Sequence, residues 1–351
     1  MLATPHRTTK NSPLAGRRRR RSSLAAATAV AVLGLTACGG GADDAQSSSG
    51  GGDLTKVTVL AFQQPSLGAF LPAVIEDQGL DEANGLDLEF TYVTPDNYNT
   101  EFSAGHFDVG GSAALLSEAL RTERGADVTY LFNLFDYYGT VVTSDSSISS
   151  LSDLDGKTLA AATGTTNYAM FQWFAEKEGL DLSKVQTQNQ TTSGLSTMAL
   201  TGRSDATQLW EPAYSSLLAQ KPDIDTIDLD YGAWEDEFGT SDIPYLGVAA
   251  QSAWAKDNPT AVQALYDTYQ AASQWVTDNP EDAGKVIGAA IPKGDPKVIQ
   301  SLIEDNDARL RMNVTPASEV ADGMAAVFKA GQETGYLTAE PPSTIVYQGL
   351  Q

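Results

Sequence analysis

The sequence predicts two α/β units built mainly on parallel sheets. Three observations carry this. Short apolar runs alternate with helix-length segments from residue 56 to about residue 220. A weak internal repeat relates Ala104-Gly105-His106-Phe107-Asp108 to Thr201-Gly202-Arg203-Ser204-Asp205, with Asp108 and Asp205 97 residues apart. In each copy a helix ends at glycine, an aspartate opens a short strand, and a new helix follows. The length, 351 residues, suggests two domains and buries enough apolar area to fold without staples.

The elements follow in order. Residues 57–62 form an apolar strand, and a helix runs from about Leu67 until Gly79 stops it. A strand at 86–93 leads to a short helix, capped by Asp96 and ended by Gly105. Asp108-Val109-Gly110 is a short buried strand, Ser112 caps a helix to Gly125, and 128–134 is the next strand. The second unit repeats the grammar: strand 158–162, helix 165–178, strand 185–188, helix 193–201, strand 206–209 and helix 212–220. The last third reads as nearly all helical, with helices at 259–277, 281–290, 296–307 and 317–334.

The chain opens with a different signal. Arg17 to Arg21 precede the apolar segment 24–37, which is shorter than the ~20 residues of a spanning helix. The segment ends in Leu35-Thr36-Ala37-Cys38, and Cys38 is the one cysteine in the chain. This ending resembles the lipobox of bacterial lipoproteins, which implies a signal peptide over 1–37 and a diacylglyceryl group on the Cys38 sulfur. Arg20-Arg21 leaves both general and twin-arginine export open. Residues 39–54, mostly Gly, Ser, Ala and Asp, read as a flexible leash. The expected location is the outer face of the cell membrane, tethered by lipid.

Composition narrows the function. Residues 1–37 hold seven of the 22 Lys and Arg and none of the 45 Asp and Glu, so the remainder carries a formal charge of −30. That surface repels nucleic acid and anionic lipid. One cysteine allows no internal disulfide and no cysteine metal site. Beyond residue 37 the one histidine is His106, so histidine zinc sites and Ser-His-Asp catalysis lack partners. No metal and no cofactor is expected.

Several ordered motifs carry a resemblance. Leu151-Ser152-Asp153-Leu154-Asp155-Gly156-Lys157 is followed by Leu159-Ala160-Ala161-Ala162-Thr163-Gly164-Thr165-Thr166. Asp205 to Pro212 contains Trp210-Glu211-Pro212, then come Ile243-Pro244-Tyr245-Leu246-Gly247-Val248 and Asn258-Pro259. Together they resemble the nitrate/sulfonate/taurine branch of periplasmic-type solute-binding proteins, whose wider family includes pyrimidine-precursor synthases. The resemblance implies a bilobal, class II periplasmic-binding-protein-like fold. Lobe I would hold 55–136 and 248–351, lobe II 137–247, with two crossovers as hinge and the ligand between the lobes. It implies a monomeric receptor for an ABC importer, with a permease and a cytoplasmic ATPase as partners and a small organic, sulfonate-like solute. The enzyme alternative wants a cofactor-bound lysine, a reactive histidine and cysteine-rich iron ligands, which this composition does not supply. A ligand-sensing subunit of a membrane signalling system is a third reading.

The candidate binding residues lie where strands give way to helices. Gly164, Thr165, Thr166 and Asn167 offer helix-terminal amides, two hydroxyls and a carboxamide; plain capping by threonine is the simpler alternative. Gln63, Gln64 and Ser66 leave the first strand beside Pro65, and Ser112 follows two glycines that permit close approach. Trp210 offers a stacking surface and Glu211 a carboxylate for an ammonium or hydroxyl. Asp136-Tyr137-Tyr138 lies near the first crossover, and His106 reads as solvated surface. None of these loops holds Lys or Arg. A helix terminus offers at most ~2 kcal/mol where micromolar binding needs ~8 kcal/mol, which leaves a neutral or partly cationic ligand open.

Overall fold

The computed structural model describes residues 54–350, all within one compact unit. The signal segment, Cys38 and the leash up to residue 53 lie outside the described residues.

The strands in chain order are β1 (Thr55–Phe62), β2 (Leu86–Val93), β3 (Val109–Ala114), β4 (Val128–Asp136), β5 (Thr140–Thr143), β6 (Thr158–Ala161), β7 (Gln186–Asn189), β8 (Ala206–Leu209), β9 (Asp225–Asp228), β10 (Pro244–Gln251) and β11 (Met312–Pro316). They form two sheets. The first has the order β11-β4-β10-β3-β1-β2 and the second β7-β6-β8-β5-β9. β1 runs parallel to β2 and β3, and β10 runs antiparallel to β3 and β4. The second sheet repeats this: β6 is parallel to β7 and β8, and β5 antiparallel to β8 and β9. The sequence repeat thus marks equivalent strands, because β3 and β8 hold the same place in their sheets.

Two α/β units with mixed sheets give the bilobal periplasmic-binding-protein-like architecture. The chain crosses from the first sheet to the second at residues 137–139 and returns through 229–243. β10 lies wholly in the first sheet, so the 247/248 division drawn from sequence falls inside it.

Helix ends follow local chemistry. Gly79 and Gly202 close their helices in the left-handed conformation, where a side chain would be strained. Thr94, not Asp96, caps the helix Pro95–Ser103, its hydroxyl accepting from the Asn97 amide while Pro95 takes the first turn. Ser112 is no cap. It lies inside β3, fully buried, and the next helix, Leu115–Glu123, starts after Ala114. The preceding glycines are required by packing: a Cβ on Gly110 would sit 2.1 Å from the Tyr98 hydroxyl, and one on Gly111 2.8 Å from that of Tyr269.

The strands β5, β9 and β11 and the helix Tyr231–Phe238 have no counterpart in the sequence reading. β5 and β9 are four residues each, and β11 is half-polar at the sheet edge. Such short segments become strands through their neighbours, not through their own periodicity.

One apolar cluster covers a face of the first sheet with Phe70, Val74, Val262, Tyr269, Ile287 and Leu302. Another is continuous across both sheets: Leu116, Met324 and Val327 join Leu159, Phe171, Trp173 and Phe174. The helices Thr166–Lys177 and Ala321–Glu333 pack on each other there, and Trp173 Nε1 donates to Glu333 Oε2 at 2.9 Å. The two lobes therefore share a buried seam in this conformation.

Candidate ligand-binding site

The helix Thr166–Lys177 starts at the end of β6, on the side where the second sheet meets the first. Thr165 is its N-cap. Its hydroxyl donates to the Ala162 carbonyl at 2.8 Å and accepts the Tyr168 amide at 3.3 Å, so both roles are local. Gly164 is exposed, with open space around its Cα. Thr166 is buried beside it.

Asn167 is the centre of a polar cluster. Its Nδ2 donates to Tyr245 Oη at 2.6 Å. Its backbone carbonyl accepts from the Tyr137 hydroxyl at 3.2 Å and from Gln208 Nε2 at 2.9 Å. Tyr245 belongs to β10 of the first sheet, Tyr137 to the crossover, and Asn167 and Gln208 to the second lobe, so the cluster bridges the junction. Burial pushes the Tyr245 phenol up to about 12, against the pull of the Thr166 and Asn167 hydrogen bonds. Burial, with Tyr231 and Tyr245 nearby, raises Tyr137 further. Both phenols stay neutral donors and acceptors at ordinary pH.

The loop after β1 is satisfied by itself. Gln64 Oε1 accepts the Ser66 amide and Gln64 Nε2 donates to the Ala69 carbonyl, both at 3.2 Å. Ser66 Oγ accepts the Gly68 amide at 3.2 Å. Ser112 Oγ ties that loop to β3, accepting the Phe62 amide at 2.9 Å and donating to the Gly68 carbonyl at 3.1 Å. Of this group Gln63 is exposed, and its backbone amide donates to the Val93 carbonyl at 2.8 Å.

Trp210 follows β8 and is half-buried, against the cluster of Leu209, Tyr214 and Leu217, where Tyr138 also packs. Glu211 is 1% exposed. Its two oxygens take the Ser215 amide at 3.0 Å and the Ser215 hydroxyl at 2.8 Å, and Arg309 Nη1 approaches to 3.6 Å. Burial pushes this carboxyl up, while Ser215 and Arg309 pull it down. Where the sequence offers Glu211 to an ammonium or hydroxyl of a ligand, the structure gives it to the first turn of its own helix and to Arg309.

The cations missing from the loops arrive from the C-terminal segment. Arg309 reaches Glu211 and Ser215, and Arg311 Nη1 donates to the Tyr137 carbonyl at 2.9 Å. The Arg311 guanidinium lies 4.3 Å from the Tyr231 ring centre, and Tyr138 stacks on the same ring. No sequence motif flags these arginines, and Gln208 hides in a buried four-residue strand. A glutamine inside so short a strand, beside Leu209, was the available signal. His106 is exposed, at the amino-terminal side of β3, and pairs with Glu101 at 2.6 Å. Among the described residues no group of three or more His, Cys, Asp or Glu could hold a metal ion, and no helix is long and apolar enough to cross a membrane.

The fold has many solved counterparts. The periplasmic aliphatic sulphonate binding protein SsuA of Escherichia coli superposes with a TM-score of 0.67 at 17% identity, over 83% of this chain and 96% of that one. The alkanesulfonate-binding protein SsuA of Xanthomonas axonopodis pv. citri, bound to MOPS, gives 0.63 at 16% identity over 85% and 96%. A putative sulfonate-binding SsuA from Methylobacillus flagellatus gives 0.64 at 18% identity over 84% and 91%. At such identities these likenesses show the fold. No curated protein matches the sequence. Residues 73–283, more than half of the chain, match the model of the NMT1/THI5-like family, and the chain belongs to that family.

Proposed function

We propose that this chain is the extracytoplasmic solute-binding component of an ABC importer, held at the membrane by a lipid on Cys38. It captures a small organic solute between its lobes and presents it to a membrane permease driven by a cytoplasmic ATPase. No bond of the solute is broken. The observation that carries this reading is the polar cluster of Tyr137, Asn167, Gln208 and Tyr245, which draws on both lobes and the first crossover at once. A solute inserted there touches both lobes, so its binding energy favours the closed arrangement. The sulfonate binding named for the similar solved structures supports a small polar solute.

The contacts proposed for the solute are Asn167, with Thr166 and Gln208 behind it, and Trp210 and Gln63 at the rim. Thr165, Gln64, Ser66, Ser112 and Glu211 hold the surrounding backbone. The test is mass spectrometry of small molecules released from the purified protein, followed by calorimetry with each. A solute bound one to one with micromolar affinity is expected. A protein that releases nothing and binds none of the solutes offered by a growth-medium extract would end the reading.

A further inference from the structure

Two side-chain oxygens at the lobe junction have no hydrogen-bond partner: Asn167 Oδ1 and Gln208 Oε1. Their residues are 4% and 1% exposed. Buried acceptors without partners are costly and rare, and two within one cluster call for an explanation. The orientation of Gln208 is fixed by its partner. Its Nε2 faces the Asn167 backbone carbonyl, which can only accept, so the remaining atom is an acceptor. Asn167 Nδ2 donates to Tyr245 Oη, which leaves its own oxygen over. The Tyr137 hydroxyl is committed to the Asn167 carbonyl, and Arg311 to the Tyr137 carbonyl and the Tyr231 ring. No donor of the corner is placed on either oxygen. Both oxygens are covered while the lobes are together. A solute meets them when the lobes part and is enclosed when they return.

Resting on the solute-binding reading above, we propose that the solute enters this corner with N–H donors, from an amine, amidinium or amide group, and not with a sulfonate or carboxylate. N–H groups satisfy both orphaned oxygens. An oxyanion brings only lone pairs, sets them against two carbonyl-type dipoles, and meets no free cation of the cluster to offset the repulsion. The charge of the chain, −23 overall, works in the same direction.

Three probes of similar size separate the terms: propane-1-sulfonate, 3-aminopropane-1-sulfonate and propionamidinium, each titrated by calorimetry. The two N–H-bearing probes are expected to bind and propane-1-sulfonate not to. Gln208→Met keeps the length and removes the acceptor, and should weaken the two binding probes about tenfold or more. Asn167→Asp keeps the shape, adds charge, and should tighten propionamidinium; it serves also if the methionine variant does not fold. Binding of propane-1-sulfonate as tight as the others overturns the proposal. So does failure of both N–H probes, or unchanged affinities in both variants. Where those failures occur yet a released solute binds, this inference falls and the solute-binding reading stands.

Discussion

The hydroxyl of Thr165 bonds twice within its own turn, to the Ala162 carbonyl and the Tyr168 amide. The simpler alternative for this residue, plain capping, is what the geometry supports. Thr165→Ala should lower folding stability by ~1 kcal/mol in a denaturant melt and leave solute affinity within about twofold. A large affinity loss at unchanged stability would return Thr165 to the site. Trp210 is the opposite case. Its indole is half-buried against Leu209 and Tyr214, and part of it remains available at the proposed rim. Trp210→Ala should weaken binding of the released solute by ~1–3 kcal/mol. A mutant that is destabilised by ~3–5 kcal/mol, with normal affinity in its folded fraction, would assign Trp210 to the core.

The helix Leu115–Glu123 is anchored by an ion pair that is almost completely buried. Arg121 grips Glu118 with Nε at 2.9 Å and Nη2 at 3.1 Å. Its remaining donors reach the Asn99 carbonyl, Asn99 Oδ1 and the Ser103 hydroxyl on the helix Pro95–Ser103. Burial raises the Glu118 carboxyl and Arg121 lowers it. Arg121→Ala leaves a buried acid without its partner and should cost ~3–5 kcal/mol in a denaturant melt. Glu118→Leu with Arg121→Met, which removes both charges, should recover most of that loss. Equal damage in single and double variants would mean that packing, not the pairing of charge, governs this contact. Neither residue bears a sequence pattern beyond its i, i+3 spacing; their burial depends on two helices meeting.

The hinge carries a titrating group. Asp136 closes β4, and its two oxygens accept from Asn133 Nδ2 at 2.9 Å and Asn313 Nδ2 at 3.0 Å. Its backbone amide donates to the Arg311 carbonyl, and the next amide, of Tyr137, to Ile243 on the second crossover. Burial pushes the Asp136 carboxyl from 3.8 up to about 6; Asp242 adds to the rise, while Asn313, Arg311 and Asn133 oppose it. A carboxyl raised in the folded state binds more protons there than in the unfolded chain between about pH 4 and 6. Its ionisation therefore destabilises the fold: the penalty is absent below about pH 4, grows as pH rises through that window and is fully present above it. Carbon NMR should show one aspartate titrating near 6, and that signal should vanish in Asp136→Asn. A titration near 4 would place the group in water. At the outer end of the chain, Cys38→Ala should move the protein from the membrane fraction to the soluble fraction, because residues 39–54 offer almost no apolar anchor. Retention of that variant through a high-salt wash would overturn the lipid tether.

The sequence by itself determined the alternation of strands and helices, the equivalence of β3 and β8, and the family, because periodicity, glycine stops and ordered motifs are local. The aspartate before each repeat strand was legible for that reason: Asp205 accepts the Thr158 amide and hydroxyl, each at 2.7 Å, and locks one strand to the next. Only the tertiary structure decided which polar groups are used up and which are left over. Ser112 looks available in a string of letters, yet folding brings Phe62 and Gly68, 50 and 44 residues away, within hydrogen-bond reach of it. Gln208 looks like strand interior, yet burial beside Asn167 leaves its oxygen unpaired. Arg309 and Arg311 stand about 100 residues beyond Glu211 and 170 beyond Tyr137 in the chain, and nothing short of packing the C-terminal segment on the hinge brings them there. Whether a polar side chain is free for a ligand is a property of its neighbours in space, and those are set by chain closure over distances that no local pattern records.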